Sequence, residues 1–304
     1  MAKARAIVKR RKAVRNIKKI TKTMQMIATA KFQKSLKRAV GTKPYTLKVR
    51  ELVRELAASV GNVDHPLLRR PTDENRTNRI ALIVLTSNRG LAGAYNGSVL
   101  RAANAFLKQQ MSAGKTIDLI VAGKKAISYF NFQKRPIAQR MEAQDTPRFA
   151  DVERLADALM KDFIGGKYDS VHVAYMNFLS AGVQRPDVMT LLPLAGVDDT
   201  STSAKPQAEK ERGPYNVQTM YDFSPEPRVL LDELLPLTIK TALFQTFLDA
   251  TTSEHVARMV AMKSATDNAE KISKALAMEY NRARQTQITT ELMEIMGGVE
   301  AMSD

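Results

Sequence analysis

A glycine-rich stretch is the part of the sequence whose residue types best fit ligand chemistry. Residues 86–97 read TSNRGLAGAYNG and come directly after the apolar run RIALIVL. A buried strand that leads into a glycine-rich turn and a helix begins many phosphate sites. The spacing here is G-x-x-G-x-x-x-G rather than G-x-G-x-x-G, and no Gly-Lys-Ser/Thr follows. The pattern therefore favours a tight turn that needs positive φ over a nucleotide site.

Other residue types that support catalysis or metal binding are sparse. The chain has no cysteine, which excludes disulfides, thiolate metal sites and cysteine catalysis. The histidines His65, His172 and His255 are far apart and show no H-E-x-x-H spacing. We interpret each of them as a surface or core residue. The sequence predicts no catalytic group, no metal and no cofactor.

Positive charge is concentrated at the N-terminus. Residues 1–50 contain 17 Lys and Arg and no acid, whereas the other 254 residues carry 30 basic and 31 acidic groups. Three interpretations compete: a nucleic-acid arm, an organelle transit peptide, and a helix placed among acidic protein partners. A transit peptide is serine-rich, but this segment has only one serine, Ser35.

The elements that position the glycine turn follow from periodicity. Residues 1–61 predict a helix with an apolar stripe among lysines, kinked or divided at Gly41 and Pro44. The stripe consists of Ile17, Ile20, Met24 and Ile27. Residues 78–195 alternate strand and helix patterns, which predicts an open, largely parallel α/β sheet of about five strands. Residues 196–228 predict a linker, and the polar stretch 198–214 within it an exposed loop.

The C-terminal segment, 229–304, predicts a very long helix. From Leu237 to Met296 there is neither Gly nor Pro, so the helix needs a helical partner for much of its run. Small residues in its middle would let a second backbone approach closely: Ala257, Ala261 and Ser264. The N-terminal helix is the available partner. We therefore expect an antiparallel coiled coil of the N- and C-terminal helices, with a Rossmann-like α/β domain inserted between them.

Four motifs in this layout resemble the γ subunit of F-type ATP synthases. The N-terminal NIKKITKTMQMIATAKFQKS, the middle SNRGLAGAYN, and the C-terminal ARMVAMKSATDNA and YNRARQTQITTELMEIMGG are similar to the family's signatures in the same order. The resemblance covers nearly the whole chain. Asn88 stands where the family usually has an acid, and the regulatory dithiol insert of chloroplast members is absent.

The resemblance implies a rotor that performs no bond chemistry and holds no nucleotide. The paired helices would turn inside a ring of three α and three β subunits. The α/β domain would meet the ε subunit and the membrane c-ring. The expected location is the cytoplasmic face of a bacterial plasma membrane, with an organelle inner or thylakoid membrane as the alternative. The alternative function is a basic coiled coil that binds nucleic acid, although few aromatic groups for base stacking accompany the basic segment.

The resemblance also assigns partner contacts residue by residue. Met24, Arg89 and Ala92 would contact β subunits from the surface of the chain, with Met24 and Arg89 facing the acidic loops of β. The polar pair Arg284 and Gln285 would hydrogen-bond with a β subunit. Glu291 and Glu294 would lie in the terminal helix beneath an apolar collar.

Overall fold

The N-terminal helix is continuous. The computed structural model describes residues 2–60, 65–69, 76–194 and 226–303, so the predicted loop at 198–214 lies outside the described residues. Helix α1 spans Ala2–Val60 with Pro44 inside it. The sequence predicted that Gly41 and Pro44 kink or divide this helix, and of these two outcomes the division is wrong. Proline leaves the carbonyl four residues earlier without a donor, and Val40, which carries that carbonyl, is exposed to water.

A five-stranded sheet confirms the predicted α/β arrangement. Its strands lie in the order β3-β2-β1-β4-β5, with β1 to β4 parallel and β5 antiparallel to β4. The sequence pattern did not indicate the third strand, which has only three residues. The strands are β1 (Arg79–Leu85), β2 (Thr116–Ala122), β3 (Gln139–Met141), β4 (Ser170–Phe178) and β5 (Gln184–Leu192).

Helices cover the sheet because its central strands are apolar on both faces. Every residue of β1 after Arg79 is buried, as expected for a parallel strand packed on both sides. The helices between the strands are amphipathic and bury one face each, with residues such as Val99, Phe130 and Leu159. They are α2 (Tyr95–Ser112), α3 (Lys124–Phe132) and α4 (Phe149–Ile164).

The chain forms two compact units, and both long helices contribute to each. Helix α5 spans Pro227–Ser303. The helical unit comprises Met1–Phe32, Leu91–Gly93 and His255–Asp304, and the sheet unit comprises Gln33–Gly90 and Ala94–Glu254. This division differs from the predicted domains 1–61, 78–195, 196–228 and 229–304. The cause is apolar packing in the sheet unit, where Leu56 of α1 and Leu235 of α5 join the core of the sheet.

Candidate functional site

The glycine-rich turn is fixed to the start of α3 by hydrogen bonds within the chain. The amide of Ala126 donates to Thr86 Oγ1 at 3.0 Å, that of Lys125 to the Ser87 carbonyl at 3.2 Å, and that of Lys124 to Asn88 Oδ1 at 3.2 Å. These are the first amides of the helix, the groups that hold phosphate in nucleotide sites. The turn itself occupies all three of them.

The two ends of the motif close on each other. The Ser87 amide donates to Asn96 Oδ1 at 3.0 Å, and Asn96 Nδ2 donates to Ser87 Oγ at 2.8 Å. Ser87 Oγ also donates to the Arg89 carbonyl at 2.6 Å. A hydroxyl and an amide are needed at these positions because each both donates and accepts. The spacing of serine and asparagine in the motif is therefore a requirement of the turn.

Asn88 performs a task that an acid could not. Its Oδ1 accepts from the Lys124 amide, and its Nδ2 donates to the Ala143 carbonyl at 2.6 Å. An ionised aspartate keeps the first bond and loses the second, since a carboxylate has no donor. The departure from the family pattern therefore joins the turn to the segment after β3.

The tip of the turn exposes a different residue from the one expected. Ala92 is only 2% exposed, so the interpretation of this residue as a surface contact is wrong for the chain by itself. Leu91 is 62% exposed and has a φ of 62°, an unusual backbone conformation for a leucine. Arg89 is exposed as expected. Strained, exposed residues of this kind concentrate at functional sites.

The tip packs on α5 within the helical unit. Gly93 has a φ of 54°, and a Cβ built on it would lie 3.6 Å from the Cβ of Ala261 and 3.8 Å from the Ala257 carbonyl. These two small residues therefore accommodate the turn, whereas the sequence assigned them to contact with the N-terminal helix. Ser264, assigned with them, is exposed.

Enlarging Ala261 tests this contact. Ala261→Trp should push the Leu91–Gly93 tip off α5 at a cost of about 1–3 kcal/mol, because a closely packed site has no room for an indole. Amide hydrogen exchange of the tip residues should accelerate accordingly. Ser264→Trp is the matched control, since its side chain is exposed on the same helix, and should leave that exchange unchanged. Equal exchange in both variants would show that the tip does not depend on this packing.

Paired contacts between α1 and α5 in the helical unit run antiparallel. Thr266 Oγ1 donates to Thr21 Oγ1 at 2.8 Å, and both threonines are buried. Lys18 Nζ lies 3.2 Å from Glu270 Oε2, and this hydrogen bond is the main cause of the lowered pKa of Glu270. The Arg11 guanidinium lies 5.5 Å from the centroid of the Tyr280 ring. Residue numbers thus fall along α1 as they rise along α5.

The face of α1 that packs in this pair is not the predicted stripe. Ile17, Ile20 and Ile27 are 52%, 59% and 53% exposed, so their assignment to the coiled-coil seam is wrong. Eight buried or half-buried residues of α1 follow one another at steps of four and three, the period of a coiled coil. They are Ile7, Arg11, Val14, Lys18, Thr21, Gln25, Ala28 and Phe32. The seam of α1 is therefore mixed and partly polar, and the isoleucines form an outward stripe.

The remaining assigned contact residues lie on surface positions. Arg284, Gln285, Glu291 and Glu294 are exposed along the last turns of α5, and Met24 is half-buried on α1. Gln285 lies on an exposed face of α5 together with threonines of the next turns. Beside it an apolar stripe is exposed, formed by Ile288, Leu292 and Ile295. The end of α5 therefore presents polar and apolar groups together to its surroundings.

The contacts of His172 are with neighbouring side chains of the sheet unit. His172 lies between Ser170 and Thr190 with its ring 4.7 Å from that of Phe106, and burial lowers its pKa to about 4. The described residues contain no group of three or more acids and histidines placed to hold a metal ion. None of the helices in that part of the chain is both long and apolar enough to cross a bilayer.

Sequence reasoning missed a buried polar cluster on α5. Asp249 and Gln245 of α5 are one turn apart, and Asp249 is buried. The only signal in the sequence is an acid among apolar and hydroxyl residues in ALFQTFLDATT.

Comparison with known proteins gives a consistent answer over the full length. The family profile described as ATP synthase matches residues 3–302. The ATP synthase gamma chain of Rhodopirellula baltica is 42% identical over 303 residues, 99% of each chain, and that of Leptospira biflexa is 36% identical over 304 residues, all of both. A chain of the Euglena gracilis mitochondrial ATP synthase superposes with a TM-score of 0.62 at 17% identity, covering 99% of this chain and 95% of that one. A chain from the central stalk and c-ring structure of Tetrahymena thermophila mitochondrial ATP synthase gives 0.56 at 20% identity, covering 81% and 99%. These two structures share the fold of this chain, and the two gamma chains identify its family. The chain belongs to the ATP synthase gamma chain family.

Proposed function

We propose that this chain is the central rotor of an F-type ATP synthase. It couples ion flow through a membrane c-ring to ATP synthesis or hydrolysis on the β subunits by turning within the ring of α and β subunits. The chain itself performs no bond chemistry, because catalysis in such complexes lies in β. None of the relatives described above supports the nucleic-acid alternative.

Besides family membership, an exposed apolar stripe on α1 supports this proposal. The antiparallel pair of α1 and α5 leaves an apolar stripe outside its seam, Ile17, Ile20 and Ile27, on a helix that holds no acid before Glu51. Large exposed apolar groups on a lone helix pair indicate a partner surface. Lysines interspersed with the stripe favour a partner that also carries carboxylates, which fits the acidic lower loops expected of β subunits.

The mechanism is coupling through differential contacts. A shaft with unlike faces touches the three β subunits differently, so each face favours an open or a closed β site. Turning the shaft then exchanges the nucleotide affinities of the three sites, and by linkage nucleotide binding favours particular shaft angles. In this scheme Met24, Arg89 and Leu91 contact the lower part of the ring. Arg284 and Gln285 hydrogen-bond with a β subunit.

The remaining partners and the location complete the proposal. The sheet unit meets an ε subunit and the c-ring, and the chain is a peripheral subunit on the cytoplasmic face of a bacterial plasma membrane. An organelle inner membrane or a thylakoid membrane is the alternative. Glu291 and Glu294 lie near the apolar end of α5, which turns in a collar at the top of the ring.

Rotation itself is the test. Because the chain has no cysteine, Leu179→Cys supplies a single exposed thiol for a fluorescent or bead label. With the α and β ring fixed to a surface, we expect the label to turn in one direction when ATP is added and to stop when ATP is removed. A complex that hydrolyses ATP at full rate while the label stays at one angle contradicts the rotor function.

A further inference from the structure

A buried carboxyl group lies where α1, α5 and the sheet meet in the sheet unit. Asp249 of α5 is buried, and the amide of Gln245 donates to its Oδ1 at 2.9 Å. The same amide nitrogen donates to the Ala39 carbonyl of α1 at 3.3 Å. Gln245 therefore connects Asp249 to the other long helix. A buried carboxylate with a neutral partner is costly, because desolvation disfavours the charged form.

The glutamine also has an unused acceptor. Gln245 Oε1 is buried and has no hydrogen-bond partner among the residues that the structure describes. Buried acceptors are paired in the large majority of cases, so an unpaired one requires an explanation. An ionised carboxylate cannot pair with it, since both groups only accept. A neutral carboxyl carries one O–H donor, so it has the donor that Gln245 Oε1 lacks while its other oxygen still accepts from Gln245 Nε2.

The surrounding charges do not neutralise this group by direct contact. The groups that face Asp249 and its neighbour Tyr175 are Lys43 and Arg50 from α1 and Asp187 from β5. Lys43 and Arg50 are exposed, so water screens their attraction. Asp187 and Asp249 both raise the pKa of the buried Tyr175 hydroxyl on β4, after the larger effect of burial. Burial is also the main cause that raises the pKa of Asp249, to about 6.

We propose that Asp249 and Gln245 form a proton-operated latch between α5 and α1. With a proton on Asp249, its O–H donates to Gln245 Oε1 while Gln245 Nε2 holds the Ala39 carbonyl. Loss of the proton leaves a buried charge and an unpaired acceptor, and the junction loosens. If the chain is the rotor proposed above, the helix pair is stiffer at acidic pH. The latch itself does not depend on that function.

The direction of the pH effect follows from linkage. The folded junction holds the proton more tightly than an opened one, in which the pKa returns to its ordinary value of 3.8. Stability from this group is therefore fully present below about pH 4 and is lost as the pH rises through about 6. Between pH 8 and pH 5 the closed junction should gain about tenfold over the opened one.

Hydrogen exchange on the full-length chain tests the latch. After correction for intrinsic rates, amides of residues 39–49 and 245–253 should be about tenfold better protected at pH 5 than at pH 8. Asp249→Asn supplies a permanent donor and acceptor of the same shape, so it should abolish this pH dependence and be well protected at both pH values. Asp267→Asn, on an exposed position of α5, is the matched control and should behave as the wild type.

Two results overturn the proposal. One is equal protection of the wild-type junction at pH 5 and pH 8. The other is a pH dependence that persists in Asp249→Asn, which assigns the proton to another group. Both measurements use the chain alone, so their results are independent of whether the chain rotates in the assembled complex.

Discussion

Gly123→Ala should strongly destabilise the sheet unit. Gly123 joins β2 to α3 with a φ of 97°, and a Cβ built there would lie 2.2 Å from the Thr86 carbonyl oxygen and 2.6 Å from its carbon. Both are backbone atoms of the segment after β1, which is fixed on its other side by the amides of α3. Neither strand can move without breaking the parallel pairing of β1 and β2. We expect the free energy of unfolding to fall by about 4 kcal/mol or more.

Gly114→Ala separates the steric contact of the added Cβ from the cost of its positive φ, the two causes of this loss. Gly114 also has a positive φ, 76°, but no atom lies within 4 Å of a Cβ built there. Only the conformational cost remains, roughly 1 kcal/mol. Urea unfolding of both variants, followed by circular dichroism, measures the difference. Similar losses in the two proteins would show that the contact with Thr86 relaxes easily, and that the turn is not held as tightly as its hydrogen bonds indicate.

The sheet was predictable because burial on both faces leaves a strong pattern. The runs in β1, β2 and β4 are apolar almost throughout, and such runs have few interpretations when helical patterns separate them. Strand β3 was not predictable. Its residues, Gln139 to Met141, are mostly polar, and only backbone pairing with Ile120 to Ala122 makes them a strand. Such pairing depends on the free backbone groups of β2, a different segment of the chain.

The seam of the coiled coil shows a different limit. The outward stripe and the true seam of α1 both repeat with the same period, so periodicity alone does not decide between them. Choosing the more apolar face selected Ile17, Ile20 and Ile27. The seam instead contains Thr21, which is satisfied by Thr266 on the other helix. A polar residue is stable in a buried seam only when a hydrogen-bond partner faces it. For Thr21 that partner lies 245 positions away in the sequence.

The turn was predictable in kind but not in detail. Its glycine spacing indicated a structural role, and the hydrogen bonds of Ser87 and Asn96 explain the motif. Which residue reaches the surface depends on how the tip packs on Ala257 and Ala261. That packing reverses the expected order, since Ala92 is buried and Leu91 is exposed. A covalent tether between this turn and a partner is therefore best placed at Leu91.

A disulfide at the tip of the turn should stop the motor. Leu91→Cys is the only thiol in this chain, on a side chain that is exposed. Cysteine is unbranched and smaller than leucine, so the variant should assemble and hydrolyse ATP at close to the wild-type rate while reduced. Paired with a cysteine in the acidic lower loop of β, it should form a disulfide on oxidation, provided that the Cα atoms come within about 7 Å.

Oxidation should then reduce multi-turnover hydrolysis to background, and a reductant should restore it. The three β sites must exchange conformations for turnover to continue, and a tether to one β subunit holds the shaft at a single angle. Phe132→Cys is the control, because Phe132, at 87%, is the most exposed large apolar residue among those that the structure describes in the sheet unit. It tests whether any exposed thiol reacts with the same β cysteine. A disulfide at Leu91→Cys that forms in high yield while steady hydrolysis continues means that the tip does not move against β. In that case the turn is a fixed contact with β, and rotation is not what couples the β sites, although the chain belongs to the gamma chain family.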